Sequence, residues 1–358
     1  MKAIPQLLQL ISILVSGLVL IYSLHNILLK LDELTKKLPN YLAKKASNDQ
    51  MKSAMSGQVN AENTVIVKHP HPSTEPGIMF LQSSSELNPS PLTICSIESA
   101  ARLNPNKPVY YFMRGFNGKV SAYRDPEYKG IRLLSSFKNV ITLPLNPKEL
   151  FSNTPLAGWY EKVDPSTELY WIISLSDGCR IALLWKYGGT YLDTDIISIK
   201  PLLFHNFLCA ELGNYANNAA LGFNRSHSFI ESCLWDFVEN YNGAVWGQQG
   251  PELMTRMLKK WCETDNLHNV LNKECKGIKY LSNNWFYPVP YPDWKKYFEK
   301  DTWKGNADEI EKKFSETIGV HFWNSLSRRH KFQIKGSRSL IEYFFYKYCP
   351  STYETLPK

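Results

Sequence analysis

Residues 176–202 read SDGCRIALLWKYGGTYLDTDIISIKPL, and this segment decides the fold class. Its first twelve residues carry apolar side chains with the spacing of a buried helix. Gly188 and Gly189 follow, and they are predicted to end that helix because glycine adopts the left-handed conformation at little cost. Residues 191–199 are then rich in β-branched, aromatic and aliphatic side chains, which is typical of a buried strand. The segment therefore predicts a helix, a glycine turn and a strand.

Two aspartates, Asp193 and Asp195, interrupt the apolar strand. Carboxylates in an apolar run are costly unless a cation or hydrogen-bond donors meet them. At positions i and i+2 of a strand, both side chains point to the same face. Two hard oxygen ligands there suit a divalent ion that keeps its other positions for water and phosphate oxygens. An isolated D-x-D pair also fits a capped strand end or a surface turn, but the flanking helix, glycines and strand favour the metal site.

Strand and helix patterns alternate along the chain from Gly77 onward. This alternation predicts an α/β fold with a mostly parallel central sheet, in which ligands bind at the carboxyl ends of the strands. No G-x-G-x-x-G follows the first strand and no P-loop motif is present, which disfavours dinucleotide-binding and P-loop folds. Strands are predicted at 78–81, 109–113, 140–145 and 191–199, and helices at 95–103, 170–187 and 252–261.

Charge and cysteine content exclude some function classes. The net charge of +8 is spread over 358 residues without a Lys/Arg-rich cluster, so nucleic-acid binding is not expected. The seven cysteines show no C-x-x-C spacing, which disfavours a zinc site. Cys262 and Cys275 form a plausible local disulfide if the domain lies in a secretory lumen, although sequence alone leaves the pairing open. Cys179 and Cys209 are predicted to be buried thiols.

The amino-terminal region differs from the rest of the chain. Residues 7–29 are almost wholly apolar and long enough to cross a bilayer as a helix. A cleaved signal peptide is the alternative, but no small-residue cleavage pattern follows. The expected organisation is a cytosolic tail at 1–6, a transmembrane signal-anchor at 7–29, a polar stem at 30–76 and a catalytic domain at 77–358. Lysines on both sides of the apolar segment leave its orientation open.

Other side chains near the predicted strand end are candidates for ligand binding. Asp177 and Arg180 are three residues apart on the predicted helix and share a face. They form either an ordinary helix salt bridge or a pair that holds sugar hydroxyls beside the metal. His321 lies in an apolar run, where a histidine is more often a hydrogen-bonded core residue than a ligand.

Several segments taken together resemble one known family. The segment WKYGGTYLDTDIISIKPL is similar to the DXD region of the Golgi α-1,4-glycosyltransferases, glycosyltransferase family 32, and the resemblance is closest to the lactosylceramide 4-α-galactosyltransferase branch. It extends in the right order over residues 78–355. The other segments that carry it are IMFLQSSS from Ile78, CSIESAARLNPNKPVYYFM from Cys95, WGQQGPELMTRMLKKWC from Trp246, FYPVPYPDWKKYF from Phe286, VHFWN from Val320 and YCPSTYE from Tyr348.

The resemblance implies a GT-A nucleotide-sugar-binding fold and a set of site residues. The catalytic and metal-binding role falls on Asp193 and Asp195, with Asp195 as the direct ligand of Mn²⁺ (or Mg²⁺) and Asp193 directed toward the ribose and metal-bound water. The family has an HQGP-like loop where this chain has GQQGP, with Gln248 in place of the histidine. The residues expected to bind the donor are Asp177, Arg180, Tyr191, Gln249, Gly250, His321 and Asn324.

The resemblance also implies an activity and a location. The expected reaction transfers galactose from UDP-galactose, with retention of configuration, to a glycolipid acceptor such as lactosylceramide. Transfer of N-acetylgalactosamine or N-acetylglucosamine is the alternative reaction, and a membrane-anchored lectin-like protein is the non-enzymatic alternative. Retention of the anomeric configuration can follow from a covalent carboxylate intermediate or from front-face attack. Front-face attack is expected, because no carboxylate in the sequence requires a covalent intermediate. The family's type II layout places the catalytic domain in the Golgi lumen.

Overall fold

The computed structural model describes residues 72, 74–118, 129–202, 205–303, 307–330 and 332–357. The predicted tail and membrane anchor lie outside these residues, as does the predicted stem apart from 72 and 74–76. Among the helices of the described ranges, none combines the length and the apolar character needed to cross a bilayer.

An eight-stranded mixed sheet forms the centre of the described domain, and a two-stranded sheet lies beside it. The strand order of the large sheet is β3-β2-β1-β4-β7-β6-β9-β8, and β10 pairs with β5 in the small sheet. Parallel pairing joins β3, β2, β1 and β4, and also β6 and β9, whereas β7 is antiparallel to both of its neighbours. The strands are β1 Ile78–Gln82, β2 Val109–Met113, β3 Val140–Pro144, β4 Gly189–Leu192, β5 Ile196–Ser198, β6 Phe207–Ala210, β7 Ala216–Phe223, β8 Lys273–Cys275, β9 Ile278–Leu281 and β10 Gly319–His321.

Helices cover both faces of the large sheet, so the predicted α/β class with mostly parallel pairing is confirmed. The predicted helices at 95–103, 170–187 and 252–261 are present with slightly different ends. The α-helices are α1 Pro91–Leu103, α2 Lys129–Leu134, α3 Pro147–Phe151, α4 Leu156–Lys162, α5 Trp171–Tyr187, α6 Ser228–Glu239, α7 Pro251–Cys262, α8 Ala307–Lys313, α9 Asn324–Ser327, α10 Leu340–Tyr348 and α11 Pro350–Thr355, and 3₁₀ helices occur at Leu267–Val270, Asn283–Trp285 and Tyr291–Tyr297.

Two apolar layers form because successive side chains of a strand point to opposite faces. On β1, Ile78 and Phe80 belong to one layer, and Met79 and Leu81 belong to the other. The first layer includes side chains of α1, α10, β5 and β10. The second includes side chains of α5, α6 and α7. The central strands are thus buried on both faces, which explains their continuous apolar sequences.

The glycine turn between α5 and β4 has the predicted backbone conformation. Gly188 has φ 67° and its N–H donates to the carbonyl of Leu184, and Gly189 has φ 103°. A Cβ at Gly189 would lie 2.4 Å from the carbonyl oxygen of Gly77. Glycine is therefore required here both by the backbone angles and by the close approach of β1.

The predicted strand at 191–199 is wrong in one respect, because it is two strands rather than one. β4 ends at Leu192, a turn contains both aspartates, and β5 begins at Ile196 in the other sheet. The backbone N–H of Ile196 donates to the carbonyl of Asp193, which closes the turn. The i, i+2 argument for a shared strand face therefore does not apply, and the two carboxylates converge through the turn.

Two disulfides are present among the cysteines, all of which lie in described residues. Cys262–Cys275 matches the plausible local bridge. Cys95–Cys349, which was not predicted, joins α1 to the end of α10 across 254 residues. Cys179 and Cys209 are free and buried as predicted, and Cys233 is also free and buried.

Candidate active site

The carboxyl ends of several strands meet at one edge of the large sheet. β1, β2, β3 and β4 run in the same direction, so residues that follow β4 emerge at the edge shared by all four. β7 is antiparallel to β4 and therefore begins at this edge. The N–H of Asp193 donates to the carbonyl of Ala219 on β7 (2.8 Å), which fixes the aspartate turn against that strand.

Asp193, Asp195 and His321 form a compact cluster at this edge. One ligand atom from each side chain lies within 4.8 Å of the others. His321 is the last residue of β10, directly opposite Ile196 of β5, and its Nε2 lies 3.3 Å from Asp195 Oδ1. Pairing between β5 and β10 thus carries the imidazole to the aspartates. His321 contacts the predicted metal ligand and is not merely a core residue.

The second oxygen of Asp195 is bound by the segment that follows β10. The backbone N–H of Asn324 donates to Asp195 Oδ2 at 2.7 Å. Trp323, just before it, has a left-handed φ of 52°, an uncommon conformation for a non-glycine residue that orients this N–H. Burial alone would raise the pKa of Asp195, but His321 and the Asn324 N–H lower it below its usual value. Asn324 therefore reaches the cluster through its backbone.

Arg180 links the helix to the aspartate turn. Its guanidinium lies 3.3 Å from Asp177 Oδ1 and 3.0 Å from Asp193 Oδ1, and it donates to the carbonyl of Asn218 at 2.8 Å. Asp177 and Arg180 are both buried. Burial raises the pKa of Asp177 to about 6, although Arg180 and the Asn218 amide oppose that shift. The pair is part of a buried network with the DXD turn and not an exposed helix salt bridge.

Tyr191 supports the same network from β4. Its hydroxyl donates to Asp193 Oδ1 at 2.6 Å, and its buried ring lies beneath the Arg180 guanidinium at 4.9 Å. The structure therefore brings the Tyr191 hydroxyl and the Arg180 cation to one oxygen of Asp193. These contacts orient the carboxylate of Asp193, whose side chain is 25% exposed.

Gly250 and Gln249 lie near the network in different ways. A Cβ at Gly250 would lie 2.9 Å from Asp177 Oδ2 and 2.8 Å from the side-chain nitrogen of Asn218, so the loop before α7 packs directly on this pair. Gln249 is buried, and its amide donates to the carbonyl of Phe237 on α6. Its Oε1 has no hydrogen-bond partner among the described residues. The Gln249 side chain is therefore tied to α6 and not to the aspartate turn.

Two asparagines at the start of β7 complete the site, and neither was predicted. Asn218 donates to Asp177 Oδ1 at 2.8 Å on one face of the strand. Asn217, on the opposite face, donates to Glu211 and accepts from the Tyr287 hydroxyl at 3.1 Å. They follow no recognisable spacing from the D-x-D pair, since the contact depends on β7 lying beside β4. Two polar residues inside an otherwise apolar strand are the only sequence signal that could have revealed them.

Comparison with known proteins gives consistent matches along the chain. The profile described as "Glycosyltransferase sugar-binding region containing DXD motif" matches residues 90–216, and "Alpha 1,4-glycosyltransferase conserved region" matches residues 222–356. Human alpha-1,4-N-acetylglucosaminyltransferase is 40% identical over 282 residues, 79% of this chain and 81% of that protein. The chain belongs to the α-1,4-glycosyltransferase family. Its expected identity as a glycosyltransferase enzyme is confirmed.

A second branch of the α-1,4-glycosyltransferase family matches equally well. Human lactosylceramide 4-alpha-galactosyltransferase is 44% identical over 287 residues, 80% of this chain and 79% of that protein. Among solved structures, galactosyltransferase LgtC in complex with donor and acceptor sugar analogues is 15% identical with a TM-score of 0.41, covering 79% of this chain and 96% of that chain.

The cluster of this α-1,4-glycosyltransferase has the chemistry of a divalent-metal site. Carboxylate oxygens suit Mg²⁺ and Mn²⁺, and imidazole is a common ligand of transition metals. Burial would lower the pKa of His321, but the adjacent carboxylates of Asp195 and Asp193 raise it above its usual value. The same carboxylates that attract a proton to the imidazole would attract a metal ion. His321 Nδ1 is also buried with no partner among the described residues. The residues fit a metal ion.

Proposed function

We propose that this chain is a retaining α-1,4-glycosyltransferase with a GT-A fold, and that it transfers galactose from UDP-galactose to a glycolipid acceptor such as lactosylceramide. Its membership in the α-1,4-glycosyltransferase family supports the reaction class. The relatives named lactosylceramide 4-alpha-galactosyltransferase, at 44% identity, motivate the choice of donor and acceptor.

The convergence of Asp193, Asp195 and His321 is the observation on which this proposal depends. In the proposed enzyme these side chains hold a divalent ion, Mn²⁺ or Mg²⁺. When bound, that ion supplies positive charge that offsets the charge developing on the departing UDP. Asp195 is already oriented by the Asn324 N–H, and Asp193 by Tyr191 and Arg180, so the carboxylates need little rearrangement to bind a cation.

Asp177 and Arg180 are proposed to bind the donor sugar. Both are buried beside Asp193, and their mutual ion pair keeps a carboxylate and a guanidinium at fixed positions. A carboxylate accepts hydrogen bonds from sugar hydroxyls, and a guanidinium donates to their oxygens. Gly250 lies against Asp177 and leaves no side chain between α7 and this pair.

Retention of configuration is proposed to follow front-face attack. In this route the acceptor hydroxyl approaches from the same side as the leaving UDP, and the donor phosphate takes its proton. The protein then contributes by positioning both substrates and by stabilising charge. His321, at the end of β10, and Asn324, on the segment that follows, are proposed to cover the diphosphate.

Residues 7–29 are proposed to anchor the enzyme in the Golgi membrane as a single-pass type II protein with a luminal catalytic domain. The apolar length of this segment supports the anchor. Anchoring would confine enzyme and glycolipid acceptor to one membrane surface, which raises the rate at which they meet.

Transfer of N-acetylglucosamine or N-acetylgalactosamine is the second candidate reaction. The relative named alpha-1,4-N-acetylglucosaminyltransferase, at 40% identity, supports it nearly as strongly as the galactosyltransferases support the first. Both sugars carry an acetamido group at C2 in place of the hydroxyl of galactose, and N-acetylglucosamine also has the opposite hydroxyl configuration at C4. Replacing UDP-galactose by UDP-N-acetylglucosamine and UDP-N-acetylgalactosamine in the same assay separates the candidates.

Incubation of the protein with UDP-galactose, Mn²⁺ and lactosylceramide tests the proposal. The expected product is a trihexosylceramide with a terminal α-1,4-linked galactose, identified by mass spectrometry and α-galactosidase digestion. No transfer to any β-galactoside or β-hexosaminide acceptor from any of the three donors would contradict it. A lectin-like protein would differ in a calorimetric titration, since it need not bind UDP in a metal-dependent way.

A further inference from the structure

Glu211 is a buried residue at the edge of the active site, and its carboxylate has no role in the reaction described above. It follows directly after β6 and is only 9% exposed. β4 and β6 are both antiparallel to β7, so they run in the same direction on either side of it. Glu211 and Asp193 therefore leave the same edge of the sheet, with β7 between them.

The position of Glu211 relative to the donor residues can be read from β7. The N–H of Asp193 is bonded to the carbonyl of Ala219, and the N–H of Glu211 to the carbonyl of Tyr215. Glu211 therefore leaves β6 beside the start of β7, on the opposite side of β7 from the aspartate turn.

A hydrogen-bond network fixes the carboxylate of Glu211. Asn217 Oδ1 accepts from the Tyr287 hydroxyl and from the N–H of Ala219, so its amide nitrogen is the group that faces Glu211 and donates to Oε2. The Tyr287 ring in turn lies edge-on to the His321 ring at 5.4 Å. An unbroken series of contacts therefore connects Glu211 to the histidine of the metal cluster.

One oxygen of Glu211 is left available. No described residue donates a hydrogen bond to Oε1, and this oxygen keeps contact with the solvent although the residue is only 9% exposed. Burial raises the pKa of Glu211, and the Asn217 amide and His321 counteract this. A carboxylate oxygen that reaches the surface without a protein donor can accept a hydrogen bond from a ligand. Sugar hydroxyls are donors of the appropriate kind.

We propose that Glu211, oriented by Asn217, binds a hydroxyl group of the acceptor sugar. The donor residues Asp177 and Arg180 are linked to Asn218, which points to the opposite face of β7. Glu211 is on the Asn217 face, which through Tyr287 also adjoins His321 of the metal cluster. The ligand class is the terminal hexose of a β-linked glycan. This inference rests on the proposed function.

Steady-state kinetics with octyl β-lactoside as the acceptor probe test this role. The full-length protein in detergent, with UDP-galactose and Mn²⁺, is compared with Glu211→Gln, a near-isosteric neutral variant. Loss of a hydrogen bond to a charged group is expected to lower kcat/KM for the acceptor by about 10- to 100-fold. The affinity for UDP with Mn²⁺, and the slow hydrolysis of UDP-galactose without acceptor, are expected to remain at the wild-type level. Glu274→Gln, at an exposed position of β8, is the matched control and is expected to be unchanged throughout.

Two results would overturn the assignment. One is an unchanged kcat/KM for the acceptor in Glu211→Gln, and the other is a loss of UDP affinity or hydrolysis equal to the loss of transfer, which would place Glu211 on the donor side. Should Glu211→Gln fail to fold, Glu211→Asp keeps the charge and is expected to lose acceptor kcat/KM alone. Failure of the proposed function has a different signature, since the wild type itself would then show no Mn²⁺-dependent UDP binding or transfer, and this inference would fail with it.

Discussion

Asp195 is the residue with the most completely defined surroundings in the site. His321 contacts one of its oxygens and the N–H of Asn324 contacts the other. The carboxyl is 7% exposed and is kept ionised by these partners, since its pKa lies below the usual value despite burial. Its charge is therefore available to a cation over the whole neutral pH range.

Asp195→Asn is expected to lower kcat by at least about 10²-fold. Mutating a residue that only hydrogen-bonds to a metal ligand typically lowers activity by about 10- to 100-fold, and losing the ligand itself should lower it more. The substitution keeps the size of the side chain and the oxygen that accepts from Asn324. The midpoint of thermal unfolding is therefore expected to stay near that of the wild type. Full activity in this variant, measured at saturating Mn²⁺, would exclude Asp195 as a metal ligand.

Protonation of Asp177 is expected to lower kcat/KM for UDP-galactose at acid pH. Its pKa is raised to about 6 by burial, so it is ionised above that pH and protonated below it. Protonation removes the charge that pairs with Arg180, and kcat/KM for UDP-galactose should fall about tenfold per pH unit below about pH 6. The measurement is a pH profile of kcat/KM for the donor in wild type and Asp177→Asn. The variant should lack this decrease at acid pH, and an identical decrease in both would assign the titration to another group.

Five of the predicted site residues, Asp177, Arg180, Tyr191, Asp193 and Asp195, are close together in the chain and lie within one helix–turn–strand unit. The structure brings them into contact there, but the two aspartates converge through a turn and not by sharing a strand face as their spacing predicted. Site residues that lie on other strands are harder to predict from the sequence. His321 and Asn324 were obtained from the family resemblance, and Asn217, Asn218 and Glu211 were missed because their proximity depends on strand order, which spacing does not reveal.

At the scale of elements, α5, the glycine turn and β4 act as one unit that positions Asp193. The sequence predicts this unit because helix periodicity, a glycine pair and a β-branched strand are all local signals. The break between β4 and β5 was not predicted, since both halves consist of buried residues in an apolar run that is typical of a single strand. It arises because β5 leaves the large sheet to pair with β10, a partner more than a hundred residues away.

Gly189→Ala is expected to destabilise the fold by about 2–4 kcal/mol, from the left-handed backbone conformation together with the clash against β1. The added Cβ would lie 2.4 Å from the Gly77 carbonyl oxygen at a φ of 103°. Gly158→Ala in α4 is the matched control, because nothing lies within 4 Å of its Cβ and alanine favours a helix.

Chemical unfolding of the two glycine variants tests this difference. Gly158→Ala should leave the free energy of unfolding unchanged or raise it by up to about 1 kcal/mol. Equal stability of the two variants would show that the glycine turn does not require its observed backbone angles.

On the scale of the whole molecule, the carboxyl-terminal helices are bound to α1 by a disulfide and a buried glutamate. Cys95 is bonded to Cys349. Glu98 lies one helical turn after Cys95 and is fully buried. Its carboxylate accepts hydrogen bonds from the N–H groups of Ser351 and Thr352 and from the Thr352 hydroxyl. Both contacts span about 250 residues of sequence, which is why neither was predicted. They close the domain around the layer that contains β5 and β10.

Removal of the two disulfides should have unequal effects. The loss of loop-closure entropy predicts about 5 kcal/mol for the bridge that closes 254 residues and about 3 kcal/mol for the one that closes 13. Chemical unfolding of Cys349→Ser and Cys275→Ser measures both. Cys349→Ser is expected to be the less stable variant, and the reverse order would indicate that the Glu98 contacts hold the carboxyl terminus without the bridge.

Crystals of the protein grown with MnCl₂ and UDP, measured near the manganese absorption edge, test the metal site most directly. An anomalous peak is predicted within ligand distance of Asp193, Asp195 and His321, with the diphosphate of UDP bound to the same ion. UDP bound elsewhere, or no manganese between these three side chains, would contradict the assignment of this cluster as the catalytic centre.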